Sequence, residues 1–163
     1  MGHYMIKHCQ LHEILNLNML DCLSFIIAGV CHDVGHDGLT NSYHSNAVTK
    51  RAIDSNDIAV QETFHAAQTF RILALNQFNF LEQLSREEFK LFRQRVVGLI
   101  IATDMARHAG DLGQLKNIIN ENEISQDRKD LALPMYYADV DSAQNFKNQQ
   151  FILESCLHAC DIS

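Results

Sequence analysis

Apolar residues recur along this chain at intervals of three and four, and nothing alternates with period two for long, which predicts helices throughout. From about Leu17 to Cys31, Leu20, Leu23, Ile27 and Val30 share one helical face, with Asn18, Asp21 and Ser24 set between them. A helix from about His3 to Asn16 precedes it. Gly35 and Gly38 then mark a turn-rich segment. The next helix, about Asp57 to Leu75, is expected to turn Phe64, Ala67, Phe70 and Leu73 or Ala74 inward. Ser85 followed by Glu88 is a capping-box pattern and opens a helix carrying Phe89, Phe92, Val96, Leu99 and Ile100. Asp111 to Asn120 reads as a short amphipathic helix. Residues 121–142 are polar, contain Pro134, and read as a loop with one helical turn. A last helix covers about Ala143 to Cys160. The expected fold is all-α, a compact multi-helix bundle.

Composition narrows the options. The chain has 163 residues, which suits one domain or most of one, and 47% are apolar, enough for a core. The formal charge of −7 disfavours nucleic acid as a partner, because nothing neutralises a run of phosphates. The Asp and Glu residues are spread through the chain, as on a solvated surface, and some of them could hold metal ions. Five cysteines with no CxxC pair suggest a reduced, cytoplasmic setting. Cys156 and Cys160 flank His158 one helical turn apart, but buried structural cysteines are the commoner reason for such a pattern. Residues 1–10 carry no apolar run like that of a signal peptide. Leu15 to Cys31 is too short and too polar for a membrane segment.

The segment His32-Asp33-Val34-Gly35-His36-Asp37-Gly38 holds two histidines and two aspartates. Imidazole suits zinc, iron or manganese, and carboxylate also suits magnesium. A lone His-Asp pair is usually a polar loop. His-Asp-x-x-His directly after a buried helix points instead to metal. Asp161, at the end of the last helix, is the kind of distant carboxylate that completes such a ligand set. Glu62 and His65 lie on one helix face at i and i+3, and Thr103-Asp104-Met105 ends a very apolar helix. Taken alone, these two features would be surface and cap.

At these residues the chain resembles the class I cyclic nucleotide phosphodiesterases of the HD phosphohydrolase superfamily. The family segment His-Asp-x-x-His-x-Gly-x-x-Asn is met by His32, Asp33, His36, Gly38 and Asn41. Asn-Asp is met by Asn56 and Asp57, Glu-x-x-His by Glu62 and His65, and the phenylalanine that follows by Phe70. Ala-Thr-Asp-Met-x-x-His is Ala102 to His108, and His-x-x-Asp-hydrophobic-Ser is His158, Asp161, Ile162 and Ser163. The resemblance implies that His32, Asp33 and Asp161 hold a first metal, Zn2+. Asp33 would also touch a second, Mg2+ or Mn2+, whose waters His36, Glu62 and Thr103 would hold. It places His65 in the same polar pocket, and Asp104 and Met105 beside a nucleotide cleft. The implied reaction is attack of a metal-bridging hydroxide on the cyclic phosphate of cAMP or cGMP, giving a 5′-monophosphate in signal transduction. A homodimer is compatible with it.

The chain also departs from the family. Glu-x-His-His appears as Glu62-Thr63-Phe64-His65, and the usual proline after the second histidine is Asp37. The upstream His-Asn-x-x-His, source of the general acid and of a fourth metal ligand, has no counterpart in 1–163. His3, His8 and His12 lie too near His32 to replace it. Residues 1–163 therefore read as a partial catalytic domain, with the C-terminal third missing and activity impaired in isolation. A general HD-class nucleotide phosphohydrolase and a non-catalytic homologue remain alternatives.

Overall fold

A computed structural model describes residues 2–121 and 142–162 of the chain; these contain helices and no strand. The elements are α1 (Gly2–Lys7), α2 (Leu11–Ile14), α3 (Met19–Cys31), α4 (Asn41–Asn46), α5 (Lys50–Ser55), α6 (Val60–Leu73), α7 (Arg86–Ile101), α8 (His108–Glu121) and α9 (Ser142–Asp161). Single 3-10 turns lie at Asn76–Phe78 and Met105–Arg107. The loop expected around Pro134 lies outside the described residues.

α7 is the central element. α3, α6 and α9 pack around it, and the α3–α7 contact is the most extensive. Leu15, Phe25, Ala28, Phe92, Val96, Leu99, Ile100 and Leu153 fill the space between them and are shut off from solvent. This matches the face expected for α7 at Phe92, Val96, Leu99 and Ile100, whereas Phe89 is 39% exposed. On α3 the match is partial: Leu20, Leu23 and Ile27 pack against the core, but Val30 is 77% exposed and the fully buried side chains are Ser24, Phe25 and Ala28. Gly98 permits close approach of α9: a Cβ there would meet the Gln150 amide at 2.6 Å.

Arg95 is 2% exposed in the middle of this core. Its Nε meets Asp21 Oδ1 at 2.8 Å, its Nη2 donates to Gln149 Oε1 at 3.1 Å, and its guanidinium lies over the Phe146 ring at 4.3 Å. The other oxygen of Asp21 closes a capping box with Asn18, so one carboxylate both starts α3 and neutralises Arg95. The Ser85–Glu88 capping box starts α7 as the sequence predicts.

Two expectations need correction. The helix expected from His3 to Asn16 is broken, because Gln10 takes a left-handed conformation (φ 53°) between α1 and α2. On α6 the fully buried side chains are Val60, Gln61, His65, Ala66 and Thr69; Phe70 and Leu73 pack against the core as expected, but Phe64 does not join it. Gln61 and His65 are buried because they lie against the loop that follows α3 and hydrogen-bond to it.

Candidate metal centre

α3 stops at Cys31, and His32 opens the loop beyond it. The His32 ring is oriented by its own helix: Nδ1 lies 2.9 Å from the Gly29 carbonyl, which only accepts, so Nδ1 carries the proton. The neutral ring then presents a lone pair at Nε2. That atom lies 2.9 Å from Asp161 Oδ1, at the end of α9, and 3.9 Å from Asp33 Oδ2. Three acceptors thus converge, and only a positive charge between them, a proton or a metal ion, makes the contact favourable.

A similar logic governs His65, which is 1% exposed on α6. Its Nδ1–H donates to the Val34 carbonyl at 2.9 Å. Its Nε2 is buried without a hydrogen-bond partner, 3.8 Å from Asp33 Oδ1. Burial, more than any neighbouring charge, pulls this imidazole below its usual pKa and so keeps the lone pair available. His36 is set the opposite way. The Gly38 N–H donates to its Nδ1 at 2.8 Å, so the neutral ring carries its proton on Nε2. The His36 and His65 rings stack with centroids 5.5 Å apart. One donor atom from each of Asp33, His36 and His65 lies within 4.8 Å of the others, a spacing that could hold a metal ion.

Glu62 faces the same region. Asn41 Nδ2 donates to it at 2.9 Å. Its pKa is raised, chiefly by burial, with Asp104 and Asp33 adding repulsion. Thr103 is buried and donates to the Ile100 carbonyl at 2.8 Å, leaving its oxygen able to accept from a water. Asp104 accepts from the Ala106 N–H at 3.0 Å, and Met105 is 58% exposed beside it.

No role for Asn41 follows from the sequence, yet the structure ties two segments of the site through it. Ala59, at the N-cap of α6, is left-handed (φ 43°) and caps nothing with its side chain. Asn41 Oδ1 accepts the Gln61 N–H at 2.8 Å instead, while its amide holds Glu62. Its place in the His-Asp-x-x-His-x-Gly-x-x-Asn pattern was the available signal.

Asp37 is not gathered into the ligand cluster. It accepts from Gln61 Nε2 at 2.7 Å and from the Leu39 N–H at 3.2 Å, and it meets His44 Nε2 at 3.3 Å and Arg51 Nη1 at 3.1 Å. Desolvation opposes ionisation, but these donors together outweigh it and hold its carboxyl at about 2. His158 also lies apart from the cluster, with its Nε2 2.9 Å from His108 Nδ1. Burial pushes the Cys156 thiol up to about 11, as suits a structural cysteine. Among the described residues no helix is long and apolar enough to cross a membrane.

The whole chain, residues 1–163, matches the family model described as 3'5'-cyclic nucleotide phosphodiesterase. A high affinity cGMP-specific 3',5'-cyclic phosphodiesterase 9A of Pan troglodytes is 36% identical over 135 residues, 83% of this chain and 22% of its own length. A dual 3',5'-cyclic-AMP and -GMP phosphodiesterase beta of Plasmodium falciparum is 41% identical over 101 residues, 62% of this chain and 9% of its own length. The phosphodiesterase domain of a RhoPDE fusion protein from the choanoflagellate Salpingoeca rosetta superposes with a TM-score of 0.75 at 29% identity, over 90% of this chain and 41% of that one. The chain thus spans less than a quarter of these curated relatives. With an all-helical fold shared with that domain and a His/Asp group fit for a metal ion, it belongs to the 3',5'-cyclic nucleotide phosphodiesterase family.

Proposed function

We propose that this chain carries the metal-binding part of a catalytic domain that hydrolyses 3',5'-cyclic nucleotides, cAMP or cGMP, to 5′-monophosphates. The observation that carries the reading is the contact between two acceptors, His32 Nε2 and Asp161 Oδ1, at 2.9 Å, with the ring's other nitrogen already donating to Gly29. His32, Asp33 and Asp161 would hold the first ion, Zn2+. Asp33 would be shared with a second, Mg2+ or Mn2+. When bound, such a pair acidifies water and clamps a phosphate, which is the chemistry phosphoester cleavage needs.

The other residues divide by protonation. His36 offers an Nε2–H, which suits holding a water or a substrate oxygen. His65 offers a fixed lone pair, aimed toward Asp33. Glu62 is ready to accept a proton from ordered water, because burial raises its basicity. Thr103 accepts from the same water layer. Asp104 shapes the turn that exposes Met105, whose side chain would line the nucleotide's approach.

Metal content and nucleotide hydrolysis measured on one preparation test this. The expected result is stoichiometric zinc or manganese, with release of 5′-monophosphate from cyclic nucleotides and none of it after chelation. Protein that binds no divalent ion, or that cleaves linear nucleotides and spares cyclic ones, would overturn it.

A further inference from the structure

One cation outside the ligand cluster touches both segments that build it. Arg51, on α5, reaches Asp37 Oδ2 at 3.1 Å and the Gly35 carbonyl at 3.3 Å, the residues on either side of His36. The same guanidinium donates to Gln61 Oε1, next to Glu62 on α6. It also lies 3.6 Å above the ring of Phe64, next to His65. Gln61 returns a bond to Asp37 at 2.7 Å and another to the Leu39 carbonyl at 2.8 Å, closing the network. The buried His44 adds a further donor to Asp37.

This loop needs an external brace. Gly35, beside His36, and Gly38, two residues beyond it, have φ of 75° and 81°, a region glycine enters without steric cost, so neither stiffens the loop. A proline in place of Asp37 would fix φ and stiffen the loop from within. Here stiffness comes from across the fold, through a planar, multi-donor cation that a lysine does not reproduce. The cation also needs an aromatic face beneath it, which Phe64 supplies. Both partners are positions at which this chain departs from its family, Asp37 for proline and Phe64 for histidine.

We propose that Arg51 is a positioning residue for His36, and that Asp37 and Phe64 are its matched partners, so the two departures form one clamp rather than two separate lesions. The proposal rests on the metal reading for its consequence and not for its existence. The clamp fixes the loop in metal-free protein and thereby sets the affinity of the second ion.

The test pairs two readouts. The first is the imidazole nitrogen NMR signature of His36 in metal-free protein. In the parent chain it should show the Nε2–H form; in Arg51→Leu it should shift toward a mixture of tautomers as the Gly38 N–H contact loosens, with core amide signals unchanged. The second is Mn2+ affinity. Arg51→Leu should lower it by about tenfold to a hundredfold, with Arg51→Lys in between. In an Asp37→Pro background the loop is stiff already, so the same Arg51→Leu change should matter by less than about threefold. Equal effects in both backgrounds, or a His36 signature unmoved in folded Arg51→Leu protein, would overturn the clamp. Should Arg51→Leu not fold, Arg51→Lys in the two backgrounds carries the same comparison. A parent chain that binds no Mn2+ counts against the metal reading alone, since the NMR arm still decides the clamp.

Discussion

His65 spends its Nδ1–H on the Val34 carbonyl, 2.9 Å away, and this bond from α6 to the loop after α3 fixes which nitrogen faces the site. An asparagine at this position places an amide N–H close to Nδ1 but has no atom at Nε2. His65→Asn should therefore keep the fold and lose metal affinity by about tenfold or more. His65→Gln, which reaches toward the Nε2 position, should retain more of it. Isothermal titration with Mn2+ checks the order; equal affinities for both variants would show that Nε2 is not used.

Asp161 separates a proton from a metal as the partner of His32. In Asp161→Asn an amide N–H can donate to the His32 lone pair with no ion present. The metal-free variant should be as stable as the parent chain or more so. Its stabilisation by zinc should vanish; a ligand at one hundred times its Kd stabilises by about 2.7 kcal/mol. Thermal melts with and without zinc read both quantities.

Glu62 gives a signed pH effect. Burial raises its folded pKa above 4.5, so the unfolded chain ionises first as pH rises. The fold is unburdened below about pH 4.5 and loses stability as pH climbs through the raised folded value. Glu62→Gln keeps the acceptor for Asn41 and removes this burden. Its melting temperature should exceed the parent's by a few degrees at pH 7 and equal it at pH 4, while metal-dependent hydrolysis falls.

Arg95 tests the core independently of the site. Arg95→Ala strips Asp21 of its buried partner and leaves Gln149 short of a donor, which should destabilise by about 3–5 kcal/mol. Urea denaturation checks it. Zinc affinity measured on the folded fraction should stay near that of the parent, because Arg95 touches none of the site residues.

What the sequence could show follows from range. The Ser85–Glu88 box and the apolar face of α7 depend on neighbours three and four apart, and both appear as read apart from Phe89. His32, Asp33 and Asp161 stood out through the His-Asp-x-x-His spacing after a buried helix, and the fold sets His32 Nε2 2.9 Å from Asp161 Oδ1 and 3.9 Å from Asp33 Oδ2. The break at Gln10 was not legible, since a left-handed glutamine leaves no compositional trace. Neither were α4 and α5, six residues each, which rest on local caps: Thr40 takes the Tyr43 N–H and Thr49 the Ala52 N–H. The inward face of α6 was legible only in part. Phe70 packs against the core, edge-on to Phe92, but Phe64 lies under Arg51, and Gln61 and His65 are buried against the loop after α3. Arg51 itself was invisible, because its four partners lie between 10 and 16 residues away and meet it only in the folded chain.

His32 and Asp161 share one further property of their position. Each sits where a helix finishes, α3 of 13 residues and α9 of 20. The last peptide carbonyls of a helix are left without internal donors, so its trailing end behaves like roughly half a negative charge. Two such ends arrive at one point here. The backbone alone makes that point a sink for cations, worth typically about 0.3–1 kcal/mol per helix, and any side chain added there inherits the bias.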